Sequence, residues 1–294
     1  MAIFEKDGTG TWQVAKQVFL KGATGWYEPA EIYVKNTATT WKTVHKMIHI
    51  TGATGSYVAD VNLYTLVGSP TGNIGLYAYI DAGITIGSSS NTTPALTISG
   101  FAAGAVITIE NNGTIYGAGG TGGAGYDNNN GIDGQPGTQG GTAIKTTNSV
   151  YIKNNGTIAG GGGGGGGGGY HYFSVPSGKS SITYLTTGGG GGGGGGYYGG
   201  TAGAGGVGGD YDGSAGNTGG TPNGGGGGIG GNDGSTDTNH YGPTGGGGGS
   251  VGNAGAAGGG GDSGVSGAGG AAGYYIEGKS LATWTGASGI GNSI

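Results

Sequence analysis

The sequence predicts an all-β proximal module joined to a bundle of polyglycine-II helices, with essentially no α-helix. Two observations carry this. The chain up to about residue 116 alternates apolar and polar residues between turn formers. Beyond it lie long glycine tracts in which the non-glycine residues recur at intervals of three. Glycine supplies 86 of 294 residues, several times ordinary usage. Such an excess often marks a flexible linker, but 18 Tyr, 4 Trp and only 9% charged residues are not the composition of a solvated, disordered chain.

Residues 1–50 hold a short repeat. Trp12, Trp26 and Trp41 each lead into an alternating stretch, WQVAKQVFLK, WYEPAEIYVK and WKTVHKMIHI. The stretches read as short antiparallel strands of an attachment module. Residues 51–116 read as a β-sheet or hairpin module through GLYAYIDAGITIG, LTISG and AVITIENNGTIYG. Asn112-Gly113 carries the strongest short hairpin signal. The pattern returns as VYIKNNGTIAG, placing a second expected turn at Asn155-Gly156, and each copy runs directly into a glycine tract. The last stretch, 274–294, regains strand character and is expected to return to the sheet at the base.

Between them, residues 117–273 are the glycine region. Ala118, Thr121 and Ala124 stand three apart, as do Thr201, Ala204, Val207 and Asp210. Three residues per turn is the period of a polyproline-II-type helix, not of an α-helix or a strand. Gly160–Gly169 and Gly188–Gly196 are uninterrupted. A helix without side chains can be approached on every face, so these two tracts belong inside a bundle and the mixed ones outside. Helices of this type have no internal hydrogen bonds, so their buried amides and carbonyls must pair between neighbours. Collagen would need glycine at every third position throughout and abundant proline. Here there are 7 Pro, and aromatic segments interrupt the period.

Tyrosine concentrates where the tracts end. It combines a large apolar body, a hydroxyl and low rotamer cost, and binding loops favour it for those reasons. The candidate contact residues are Tyr170, His171, Tyr172, Phe173 and Tyr184 in the longest insertion, then Tyr197, Tyr198, Tyr211, His240 and Tyr241. Successive turns of a bundle alternate between its two ends, so only some of these loops can lie opposite the base. The alternative for each tyrosine is an end-cap that shields the lattice from water. Asp210 and Asp212 offer a cation or lysine contact, with a solvated turn as the simpler reading.

Other classes find little support. All ten basic residues are Lys and the net charge is -5, against nucleic-acid binding. There is no Cys, no apolar run of membrane-spanning length and no signal-peptide pattern at the N-terminus. His45, His49, His171 and His240 make no metal-ligand spacing, and no nucleophile elbow stands on a strand–helix turn. No catalytic residue, metal or cofactor is expected.

The segments ITIENNGTIYGAGGTGGAG and VYIKNNGTIAGGGGGGGGGG, with the later tracts broken by aromatic-polar segments, resemble the long-tail-fibre tip adhesins of T-even-type phages. The likeness spans about residues 107–273. It implies a virion protein seated on the distal tip of a trimeric fibre. It also implies a polyglycine-II bundle whose loops bind a bacterial outer-membrane protein or lipopolysaccharide. Trp12, Trp26 and Trp41 resemble repeats of other phage tail proteins and are the candidate attachment residues. A structural capping protein, a glycan- or ice-binding protein and a surface depolymerase are the alternatives.

Overall fold

The computed structural model describes the strands within residues 4–50, then 57–177, 180–197, 200, 210–232, 241–261 and 265–294. Side chains are described from His45 onward. Its fold is nearly all β. Among the described residues the helices are one turn of α-helix, Leu63–Leu66, and a 3-10 turn, Lys279–Leu281.

Three sheets of six, five and four strands are built from successive turns of the chain and are parallel apart from one antiparallel edge strand, which defines a three-sided β-solenoid. Its first turn is Trp41–Ile50, Tyr57–Ala59 and Val61–Asn62. The second is Gly75–Ile80, Thr85–Gly87 and Leu96–Ile98. The third is Val106–Asn111, Thr114–Tyr116 and Ile144–Thr146. The fourth is Val150–Asn154, Thr157–Ala159 and Tyr274–Glu277. Ala282–Gly286, a bridge at Ile290, and Asn292–Ser293 make the fifth. The tryptophan stretches form antiparallel pairs, Phe4–Lys6 with Trp12–Val14, Leu20–Lys21 with Trp26–Tyr27, and Glu31–Lys35 with Trp41–Ile50. The last pair extends the six-stranded sheet.

Alternation fills the solenoid. Leu76, Ile107 and Val150 are in register, as are Ala78, Ile109 and Ile152, and all six are buried. Ile86, Ile115 and Ile158 line the second face, and Leu96, Ile144 and Ile276 the third, each fully buried. Identical residues stack because parallel strands repeat the same side-chain environment about every 4.8 Å.

The Asn-Gly turns are not hairpins. Val106–Asn111 pairs in parallel with Gly75–Ile80 and Val150–Asn154, not with the strand that follows it. Each NNG is instead a corner between two faces. Asn111 and Asn154 point inward, fully buried, and Asn111 Nδ2 donates to Asn154 Oδ1 at 2.7 Å. Each amide oxygen also accepts from the corner glycine, Gly113 N at 3.2 Å and Gly156 N at 3.3 Å. A Cβ on Gly156 would lie 2.0 Å from the Gly113 carbonyl oxygen of the turn below, so the corners stack only as glycine.

The glycine region enters as two insertions between the second and third strands of a turn, 117–143 in the third and 160–273 in the fourth. Its segments run side by side, and partners change every third residue. In the first uninterrupted tract, Gly162, Gly165 and Gly168 donate to Gly195, Gly192 and Gly189. Gly163, Gly166 and Gly169 donate to Asn253, Ala256 and Gly259, while Gly161, Gly164 and Gly167 donate to Gly141, Thr138 and Gln135. The carbonyls accept from three further segments, through Gly120 and Gly123, Gly246 and Gly249, and Gly267 and Gly270. The tract therefore has six hydrogen-bonded neighbours. Gly189–Gly196 is surrounded in the same way. The buried polar backbone is satisfied here without a ladder of strands.

Candidate functional site

Because the segments alternate in direction, their turns fall at two ends. The solenoid end carries 117, 142–143, 159–160, 197, 200, 220–223 and 251–253, as the pairs Gly117–Ala159, Gly196–Gly220 and Gly252–Gly160 show. The far end carries 126–132, the hairpin strands 170–177 and 180–187, 210–213, Asn232 with Tyr241, 259–261 and Val265.

The hairpin is the one long departure from the lattice among the described residues. Tyr170–Ser177 pairs antiparallel with Ser180–Thr187. Its root is packed, with Phe173 7% exposed and Thr186 and Thr187 fully buried. Its outer half is open, with Val175 and Ile182 exposed, and Tyr172, nearer the root, is exposed as well. Pairing puts Phe173, Val175, Ile182 and Tyr184 on one face, and Tyr170, Tyr172 and Leu185 on the other. Both faces are buttressed by neighbouring turns. On the first, Tyr211 lies 6.5 Å from Phe173 and 6.2 Å from Tyr184, and Phe173 stacks on Tyr184 at 5.3 Å. On the second, Tyr126 lies 4.4 Å from Tyr170, which meets Tyr172 edge-on at 5.2 Å.

Polar contacts fix the root. Leu185 N donates to the Asp210 carboxylate at 2.8 Å, and Asp210 N donates back to the Leu185 carbonyl at 3.0 Å. Asp210 is thus a structural clasp as well as an exposed residue. Thr187 Oγ1 accepts from Gly213 N at 2.9 Å. Asp127 closes the 126–132 turn by accepting from Asn129 N and from Asn130 Nδ2. The Tyr126 hydroxyl is pushed above its ordinary range, first by burial, then by Tyr170, Tyr172, Asp133 and Asp127 around it, so it stays a neutral donor.

The far end therefore gathers Tyr170, His171, Tyr172, Phe173, Tyr184, Tyr211 and Tyr241, the last 51% exposed. Tyr197 is not with them. Its amide meets the Gly117 carbonyl and its carbonyl accepts from Thr221 Oγ1, at the solenoid end. One more bundle segment separates it from the hairpin, which reverses the end. Tyr198 and His240 lie outside the described residues. Trp12, Trp26 and Trp41 each begin a strand, and their side chains are outside the description. Tyr126, Val175 and Ile182 were not among the expected contacts. Tyr126 carried the same signal as the others, a tyrosine ending a period-three tract. Among the described residues no group of three His, Cys, Asp or Glu could hold a metal ion, and no helix is long and apolar enough to cross a membrane.

A solenoid thus carries a hydrogen-bonded glycine lattice, with aromatic turns gathered at the end away from the solenoid. Among solved structures the chain is similar to the gp37-gp38 adhesin tip complex of the bacteriophage S16 long tail fibre. Identity is 25%, the match covers 86% of this chain and 83% of that one, and the TM-score is 0.51. No curated protein matches the sequence. The model of the phage tail fibre adhesin Gp38 family matches residues 45–294, and the chain belongs to that family. It is a tail-fibre adhesin, a component of the phage tail.

Proposed function

We propose that the chain is a non-catalytic host-recognition tip. Its glycine region is a polyglycine-II bundle, and its far-end turns bind a bacterial outer-membrane receptor. The carrying observation is the position of the hairpin. An aromatic loop with an open apolar half stands on a lattice whose interior has no side chains to rearrange, and it faces away from the solenoid. Rigid support lowers the ordering cost of a binding loop. The period-three bonding and six-neighbour packing support the polyglycine-II assignment.

The similar structure is a complex of two tail-fibre proteins, gp37 and gp38, which supports a fibre protein as the partner at the solenoid end. Residues 1–44 precede the family match, and we assign attachment to their tryptophan strands, at Trp12, Trp26 and Trp41, on a trimeric fibre tip. The test is to replace residues 170–187 with a short Gly-Ser turn. The chain should stay folded, at a lower melting temperature because the packed root is replaced with the loop, while adsorption is lost. Unchanged adsorption would reject the hairpin as the contact.

A further inference from the structure

The charges of the bundle are not evenly placed. Among its described residues, Asp127, Asp133, Asp210 and Asp212 all lie at the far end, and the described turns at the solenoid end carry none. They also divide between the faces of the hairpin. Asp127 and Asp133 flank Tyr126, which packs on the Tyr170 face. Asp210 and Asp212 flank Tyr211, which packs on the Phe173 face. None of the four forms an ion pair among the described residues. The pairs that are described, His49–Asp81, Lys145–Glu277 and Lys153–Glu110, belong to the solenoid. Residues 170–187 contain one charged side chain, Lys179, which is outside the described residues.

The hairpin thus offers exposed apolar side chains on both faces, Val175 and Ile182 on one and Tyr172 on the other, with two aspartates beside each face. An apolar core with a charged rim is the ordinary anatomy of a protein–protein contact. Rim charges choose between partners by sign and set the encounter rate, because like charges facing each other are costly. A phosphate-bearing lipopolysaccharide surface has the wrong sign. It would repel this end within the roughly 8 Å over which charges act in physiological salt.

Resting on the reading of the hairpin as the contact, we propose that its partner is a protein surface with an apolar pocket rimmed by Lys or Arg side chains. The hairpin fills the pocket, and the four aspartates meet the rim.

The test uses the full chain and immobilised outer-membrane vesicles from a strain that the chain labels. Association rates are measured for the native chain, Asp133→Lys with Asp212→Lys, Asp212→Lys alone, and the hairpin-shortened chain. Asp212 makes no hydrogen bond among the described residues, so the single change is a control for folding. At low salt the double reversal should slow association roughly tenfold and the single reversal less, in the same direction. At 0.5 M salt the native and reversed chains should converge. Protease treatment of the vesicles should abolish binding. Unchanged or faster association of the reversed chains, or binding that survives proteolysis, would overturn the inference in favour of an anionic glycan or lipid. If the hairpin-shortened chain still binds, the underlying reading fails. If it does not bind while charge reversal has no effect, only the charge inference fails.

Discussion

Replacing Gly165 with Ala tests whether the lattice tolerates any side chain in its interior. The added methyl would sit 2.0 Å from the Gly246 carbonyl oxygen and 2.6 Å from its carbon, where ordinary contact begins at 3.4 Å. Both atoms are backbone, so the neighbouring segment must retreat by more than an ångström. That oxygen accepts from Gly192 N at 2.9 Å, and Gly192 O in turn accepts from Gly165 N at 2.7 Å. Two or three buried amides and carbonyls would lose partners, each costing about 1–3 kcal/mol. The total is about 2–9 kcal/mol, a large share of the 5–15 kcal/mol by which proteins are commonly stable. For a chain of this size it lowers the melting temperature by roughly 3–15 °C. Gly260→Ala is the control. Nothing lies within 4 Å of its added methyl, and the change should be neutral or slightly stabilising, by about 0.5 kcal/mol, through the unfolded state. Paired calorimetric melts decide the matter. A Gly165→Ala chain that melts with the control would refute the close-packed lattice.

Other consequences follow at the solenoid and the hairpin. Asn154→Ala removes the acceptor for Asn111 Nδ2 and for Gly156 N and one of the two donors to the Ala287 carbonyl, leaving buried Asn111 Nδ2 only its 3.5 Å contact to the Thr157 carbonyl. It should cost about 2–4 kcal/mol in urea unfolding, and Asn154→Asp should not restore it, because the donor is lost. Burial of Glu110 opposes its ionisation, but hydrogen bonds from Tyr77 and Lys153 and the charge of Lys153 outweigh it, leaving its pKa below 4.5. Glu277 behaves alike with Thr142 and Lys145. Depressed folded values stabilise above the unfolded value and are lost as pH falls through the folded one. The melting temperature should therefore be level above about pH 5 and fall below about pH 4, and Glu110→Gln should flatten part of that fall. Tyr172→Ala, at an open position, should weaken adsorption with little change in melting. Tyr197→Ala, at the opposite end, should leave adsorption intact.

Much of this was legible in the sequence because periodicity reports on neighbours. Period two placed inward residues such as Ile107, Ile109 and Ile152. Among the described residues the two uninterrupted tracts have neighbours on all sides, and only glycine fits where Cβ would meet three different segments at Gly164, Gly165 and Gly166. The solenoid itself was missed. Asn112-Gly113 is a local hairpin signal, whereas Gly113 is required by the Ile84 carbonyl of the turn below, 2.4 Å from its missing Cβ. The useful signal was the echo of ITIENNGTIYG in VYIKNNGTIAG. Equal segments stack in parallel and in register, and their asparagines meet. The choice of loops was only partly legible. Composition marks Tyr197 as it marks Tyr170, and only the order of the segments tells the two ends apart.

The measurement that tests the central claim most directly is binding of the fluorescently labelled chain to a panel of Gram-negative cells. Parallel samples are stripped by surface protease or treated with periodate, and the hairpin-shortened chain serves as the comparison. The account predicts labelling of a narrow set of strains, lost on proteolysis, retained after periodate and absent with the shortened hairpin. Labelling by the shortened chain equal to that of the native one, with both shown to be folded, would contradict it.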